Sequence, residues 1–147
     1  MAHSIGILGT GAAVPETVLT NEQLAAMIDI DPEWIQARTG IRERRIADDR
    51  TATSDLATIA AQRAIAAAGI SAKEIGLVIC ATVTPDTMFP ATACLVQDRI
   101  CARNAGAFDL SAGCSGFVYG LACAVSNAAG ELRVIIPHGC SNCLSVA

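Results

Sequence analysis

One stretch of the chain leaves its backbone few choices: Ala107-Phe108-Asp109-Leu110-Ser111-Ala112-Gly113-Cys114-Ser115-Gly116-Phe117-Val118-Tyr119-Gly120. A short apolar run tightens at Ser111 to Gly113, and an alanine-rich apolar segment then continues to residue 129. This order predicts a strand, a sharp turn and a buried helix, with Cys114 where the helix begins. The first turn of a helix carries unsatisfied N–H groups and about half a positive charge, and both favour a thiolate over a thiol. The thiolate is the nucleophilic form, so Cys114 is a candidate catalyst. Gly113 and Gly116 let a carbonyl approach the backbone, where free amides would hold a developing oxyanion. The competing reading is a cysteine packed as a small hydrophobe.

The surrounding chain alternates strands and helices. Residues 5–8 read as a first strand. Gly9-Thr10-Gly11 after it nearly matches a dinucleotide fingerprint, but Val14 and Pro15 stand where a helix should run, so no such cofactor is expected. Thr20-Asn21-Glu22-Gln23 is a capping box opening a short helix through Met27 and Ile28. Asp31 caps a second, with Pro32 at its first position and Gly40 as its stop. A helix is predicted over residues 55–68, capped by Ser54 or Thr53, facing inward through Leu56, Ile59, Ala60 and Ala64 and closed by Gly69. Ser71-Ala72-Lys73-Glu74 is a second capping box. Residues 76–83 form a continuous apolar run, as in a strand buried on both faces of a parallel sheet. Pro90 opens a helix to about Cys101, placing Cys94 and Cys101 in the core. Residues 107–110 and 132–136 supply the remaining strands, and Cys123, deep in the last helix, reads as packing. The fold class is α/β, a mostly parallel sheet layered with helices.

A basic cluster follows Gly40: Arg42, Arg44 and Arg45, with Arg50 beyond Asp48 and Asp49. Such runs commonly form a solvated face with local ion pairs. Trp34 and Arg38 point elsewhere, because residues four apart share a helix face. An indole and a guanidinium can sandwich a planar base while neighbouring arginines meet phosphates. That suits a nucleotide-bearing thioester such as coenzyme A, and equally the acidic surface of a carrier protein.

Composition narrows the function classes. The net charge of −4 argues against general nucleic-acid binding. No apolar run is long enough to span a membrane, and residues 1–11 lack the basic start of a secretory signal. Seven cysteines, an odd number, read as reduced thiols in a cytoplasmic protein. His138 with Cys140 and Cys143 offers three neighbouring ligands where a structural zinc takes four, so no metal is expected.

The run from Ala107 to Phe117 resembles the nucleophile segment of the 3-oxoacyl-(acyl carrier protein) synthase III family, condensing enzymes of the thiolase fold. Two further stretches carry the likeness: Trp34-Ile35-Gln36-Ala37-Arg38-Thr39-Gly40-Ile41-Arg42-Glu43-Arg44 and Phe89-Pro90-Ala91-Thr92-Ala93-Cys94. It runs from about residue 5 to about residue 136, implying one half of a thiolase-like layered fold. The resemblance implies that Cys114 carries the acyl group as a thioester and that Trp34 and Arg38 clasp the adenine of acyl-coenzyme A. It implies that Phe89 lies at a two-fold dimer interface, reaching towards the partner's acyl pocket. The implied reaction transfers an acyl group from acyl-coenzyme A to cysteine. Decarboxylative condensation with malonyl-acyl carrier protein follows, initiating fatty-acid biosynthesis in a homodimer with no cofactor beyond its thioester substrate.

Three departures accompany the resemblance. Ile30 stands where family members can have a polar residue near the adenine. The His and Asn that complete the family's active site come from its second half, and neither His3 nor His138 sits in a matching segment. Residues 137–147 leave the family pattern, so 1–136 read as a thiolase-like half-domain and 137–147 as an atypical tail, from an altered frame, a shortened gene or an appended peptide. Alternatives are a related synthase of polyketide, long-chain ketone or hydroxymethylglutaryl type, or a non-catalytic half-fold that binds an acyl carrier or sister subunit.

Overall fold

The computed structural model describes residues 5–127, 132–138 and 144–146. Its centre is a parallel sheet in which β3 (Ile75–Ala81) lies between β4 (Gly106–Leu110) and β5 (Arg133–Ile135). The register pairs Leu77 with Gly106 and Ala81 with Leu110 on one side, and Val78 with Ile135 on the other. Pairing continues past β5, since the Ala81 amide donates to Pro137 O at 2.8 Å and Ala81 bridges His138.

The unbroken apolar run of β3 is explained by cover on both faces. Val78 and Cys80 join Ala57 and Ala61 of α3 (Thr53–Ala68) and Ala93 and Val96 of α4 (Thr92–Arg99) in one core. Ile79, alternating to the other face, is fully buried beside Gly120 of α5 (Gly116–Asn127). Burial of each such side chain contributes roughly 1.5–3 kcal/mol. α5 is applied to the sheet through Gly116 and Gly120, while Phe117, Val118 and Tyr119 remain open.

Both capping boxes form as expected. Thr20 and Gln23 close the first turn of α1 (Asn21–Ala25), and Ser71 and Glu74 close a single 3₁₀ turn. Asp31 and Gly40 bound α2 (Pro32–Thr39) as predicted.

Several expectations are corrected. Residues 5–8 belong to no strand. The segment lies against α3 instead, with side-chain-free Gly9 and Gly11 seated on the backbone of Ala60, Ala64 and Ala68. α3 buries Ala57 and Ala61, not Ile59, which is 41% exposed; Leu56, Ala60 and Ala64 are partly covered. The helix also begins earlier than expected, with Thr53 and Ser54 as buried residues in place of a cap. α4 ends at Arg99, so Cys101 falls beyond it, exposed at φ +60°, and the seven-residue spacing from Cys94 no longer defines a face.

A second, antiparallel sheet was not anticipated: β1 (Thr17–Thr20), β2 (Glu43–Ile46) and β6 (Leu144–Val146). It absorbs part of the basic cluster. Arg44 reaches Asn21 Oδ1 at 2.7 Å and the carbonyls of Leu19 and Thr20, and Arg45 pairs with Glu43 and Glu16 O. These two arginines fasten strands together, while Arg42 and Arg50 stay exposed.

Candidate active site

The three parallel strands end level at Leu110, Ala81 and His138, and the chain leaves β4 there through Ser111 and Ala112. A 3₁₀ turn over Gly113–Ser115 then leads into α5. Gly113 adopts φ +53°, the left-handed conformation that glycine takes without strain. Cys114 therefore sits on the turn before α5 and is exposed. Gly116 is needed for close approach, because a Cβ there would lie 3.1 Å from Ala81 Cβ.

The turn uses some of the amides expected for an oxyanion. Ser115 donates back to Ala112 O at 3.1 Å, and Gly116 donates to Gly113 O. The Cys114 amide takes no part in these two bonds. A 3₁₀ turn thus consumes the donors that an open helix start would present.

Asp109, within the nucleophile segment, has a structural task that the sequence did not reveal. Its carboxylate accepts the amides of Thr92 at 2.8 Å and Ala93 at 2.7 Å, capping α4 from a neighbouring strand. Asp86 does the same for α3, accepting the Ser54 amide at 2.9 Å and the Ser54 hydroxyl. Ser54 and Asp55 in turn receive Arg99 at 2.7 and 2.8 Å. The loop after β3 is pinned by these contacts and by Thr87 donating to Pro90 O. It presents Met88 and Phe89 to solvent, Phe89 being 90% exposed beside a cis peptide to Pro90.

Trp34 and Arg38 lie on α2, one turn apart on an element packed against α1, with Ile35 buried beneath. Trp34 is 52% exposed, and among the described residues Arg38 enters no ion pair. Cys114, Trp34 and Arg38, and Phe89 thus occupy three separate elements.

His138, weighed from the sequence as a metal ligand, packs instead at the end of the sheet. Its ring tilts on Phe117 with centroids 6.2 Å apart, and Nδ1 lies 3.2 Å from Ala81 O. Nothing local in Pro-His-Gly signals this, because parallel pairing with β3 puts it there. A largely apolar cavity of about 470 Å³ opens nearby, between residues 5–14, α3, α5 and β5.

Among the described residues no cluster of His, Cys, Asp and Glu could hold a metal ion, and no helix is long and apolar enough to cross a membrane. Cys140 and Cys143 lie outside the described residues.

No family model matches the chain. Individual proteins do. β-Ketoacyl-[acyl-carrier-protein] synthase III of Caldanaerobacter subterraneus subsp. tengcongensis is 58% identical over 119 residues, 81% of this chain and 36% of the relative. The chain is a homologue of β-ketoacyl-[acyl-carrier-protein] synthase III. Its fold is correspondingly thiolase-like, an α/β layer of parallel sheet and helices. The crystal structure of the Aquifex aeolicus synthase III superposes with a TM-score of 0.81 at 47% identity, covering 90% of this chain and 44% of that one. The priming β-ketosynthase of the R1128 polyketide pathway superposes with a TM-score of 0.83 at 35% identity, covering 90% and 41%. The chain thus spans little more than a third of the curated synthase III relatives it matches.

Proposed function

We propose that this chain is the nucleophile-bearing half of a synthase III-type condensing enzyme and that Cys114 accepts the acyl group from an acyl-coenzyme A. The observation that carries this reading is an exposed cysteine on a tight turn, directly before a helix and at the end of a parallel sheet. Parallel sheets place their ligands at this carboxyl end of the strands. In the step, the Cys114 sulfur attacks the thioester carbonyl and a carbon–sulfur bond forms. The Cys114 amide faces the developing oxyanion, and the bond to the coenzyme A sulfur breaks.

In the same reading, Trp34 stacks on the adenine with Arg38 against its other side. Phe89, on its pinned loop, enters a partner subunit's acyl pocket in a homodimer. The enzyme works in the cytoplasm without metal or further cofactor. Residues 1–136 are the half-domain and 137–147 a tail beyond it.

The second step condenses the acyl group with malonyl-acyl carrier protein and releases carbon dioxide. It needs side-chain donors at the malonyl thioester oxygen, which the resemblance places in the other half. The test supplies the purified chain with acyl-coenzyme A and malonyl-acyl carrier protein. Acylation of Cys114 by mass spectrometry without carbon dioxide release is expected. Absence of acylation in a folded sample overturns the reading. The likeness to the polyketide priming ketosynthase supports a second one, a synthase that primes a polyketide; a preference for that pathway's carrier protein would select it.

A further inference from the structure

We propose that β6 is a clip that holds the unit bearing Trp34 and Arg38 to the parallel-sheet layer. The described residues pack as two groups. β3, β4 and β5 pack with α3, α4 and α5, while α1 packs on α2 and β1, β1 on β2, and β2 on β6. Three stretches of chain join the groups. Residues 5–14 lie on α3, where Arg63 donates to Ala12 O. Residues 47–52 make a local turn, in which Asp48 accepts the Arg50 amide and the Thr51 hydroxyl. The third stretch starts at His138, bridged to Ala81 of β3. It ends in β6, whose Leu144, Ser145 and Val146 stand opposite Arg45, Arg44 and Glu43.

A strand of three residues is at the short limit for pairing, so its tether matters. Leu144 is the sixth residue past His138, and an extended chain covers at most about 22 Å over that interval. So short a link keeps β6 beside β2 at an effective concentration of about millimolar. The constraint acts both ways: while β6 is paired, β2 is tied to the end of the parallel sheet.

β2 passes that constraint to α2. Ile41 and Arg42 alone separate β2 from Gly40, the stop of α2. Buried Asn21 of α1 holds both, its Nδ2 donating to Ile41 O at 2.7 Å and its backbone amide to Arg42 O at 3.3 Å. Arg44 of β2 completes the joint on Asn21 Oδ1. Releasing β2 therefore releases α2, and Trp34 and Arg38 with it. Residues 137–147 leave the pattern of the family, so the clip belongs to this chain. Its consequence for coenzyme A rests on Trp34 and Arg38 clasping the adenine.

The test is amide hydrogen exchange on the full chain, on the chain without residues 144–147, and on Ser145→Pro, which sets a residue lacking an amide into the strand. Amides of residues 35–40 and 43–46 should exchange at least about tenfold faster in both variants, with those of β3 unchanged. Faster exchange confined to 43–46 overturns the proposal, since β6 would then cover an edge and nothing more. Unchanged exchange in both segments overturns it equally. Should a variant lose protection in β3 as well, the unsubstituted chain in low denaturant decides. There 35–40, 43–46 and 144–146 must lose protection together and before β3; separate loss overturns the clip. Quenching of Trp34 by coenzyme A is read on the same samples. Faster exchange at 35–40 in the variants of a chain that coenzyme A does not quench keeps the clip and refutes the nucleotide clasp. Quenching with unchanged exchange at 35–40 does the reverse.

Discussion

Two cysteines, one inside β3 and one on the turn that follows neighbouring β4, differ in their access to solvent. Cys80, in the middle of the core, is 1% exposed, and its thiol is pushed up to about 12. Burial is the main cause, with the carboxylates of Asp109 and Asp86 adding to it. Cys80 pairs with Asp109 in the register, and Cys114 lies only five residues beyond Asp109. Those residues carry the chain off the sheet end and out to solvent. A thiol's access to solvent here follows its position relative to the strand ends more than its neighbours in sequence.

The largest expected contrast is in native labelling. Cys114 should react about a thousandfold faster than Cys80, because Cys80 is reached only through opening of the core. Comparable rates in a folded sample would break the comparison outright.

Stability at alkaline pH is the next effect. Between pH 9 and about 12 the unfolded chain loses the Cys80 proton while the folded chain keeps it. Fewer protons are bound in the unfolded state, so stability falls as pH rises, by about 1.4 kcal/mol per unit and about 4 kcal/mol in all. Below pH 9 Cys80 contributes no slope. Denaturant unfolding of the wild type and Cys80→Ala across this range should show the steeper slope in the former.

A smaller effect belongs to the sheet end. Gly116→Val places methyl groups where a Cβ alone would be 3.1 Å from Ala81 Cβ and 3.6 Å from His138. A cost of about 2 kcal/mol in thermal or denaturant unfolding is expected, from overpacking at a backbone contact. An unchanged midpoint would mean that α5 does not need its close seat on β3.

The smallest effect lies away from the sheet. If α2 clasps a nucleotide, Arg38→Ala should weaken coenzyme A binding by about 1 kcal/mol, read by quenching of Trp34. Chloroacetamide labelling of Cys114 should not change. A fall in both would show that α2 and the turn act as one unit.

Features made of neighbouring residues were legible without a structure. The boxes Thr20 to Gln23 and Ser71 to Glu74, the Asp31–Pro32 start and the Gly40 stop depend on atoms three or four residues apart, and all formed. The β3 run was readable because cover on both faces leaves no polar alternation. Residues 5–8 have similar composition, yet they form no strand, since a strand exists only where another offers its edge. The caps of α3 and α4 were also hidden. Ala52 and Ala91 stand at the cap positions without capping side chains, and Asp86 and Asp109 supply the acceptors from elsewhere.

By itself, then, the sequence determined the strand–turn–helix around Cys114, the glycines it requires and the parallel α/β class, because local backbone preference and hydrophobic period act over a few residues. Tertiary structure alone decided that Arg44 staples a small sheet, that Asp109 caps a helix and that His138 reaches the head of α5. Each of those depends on strand register, which brings together residues 17 to 57 positions apart. The energy that selects a register is shared across the whole core, so no short stretch of sequence encodes it.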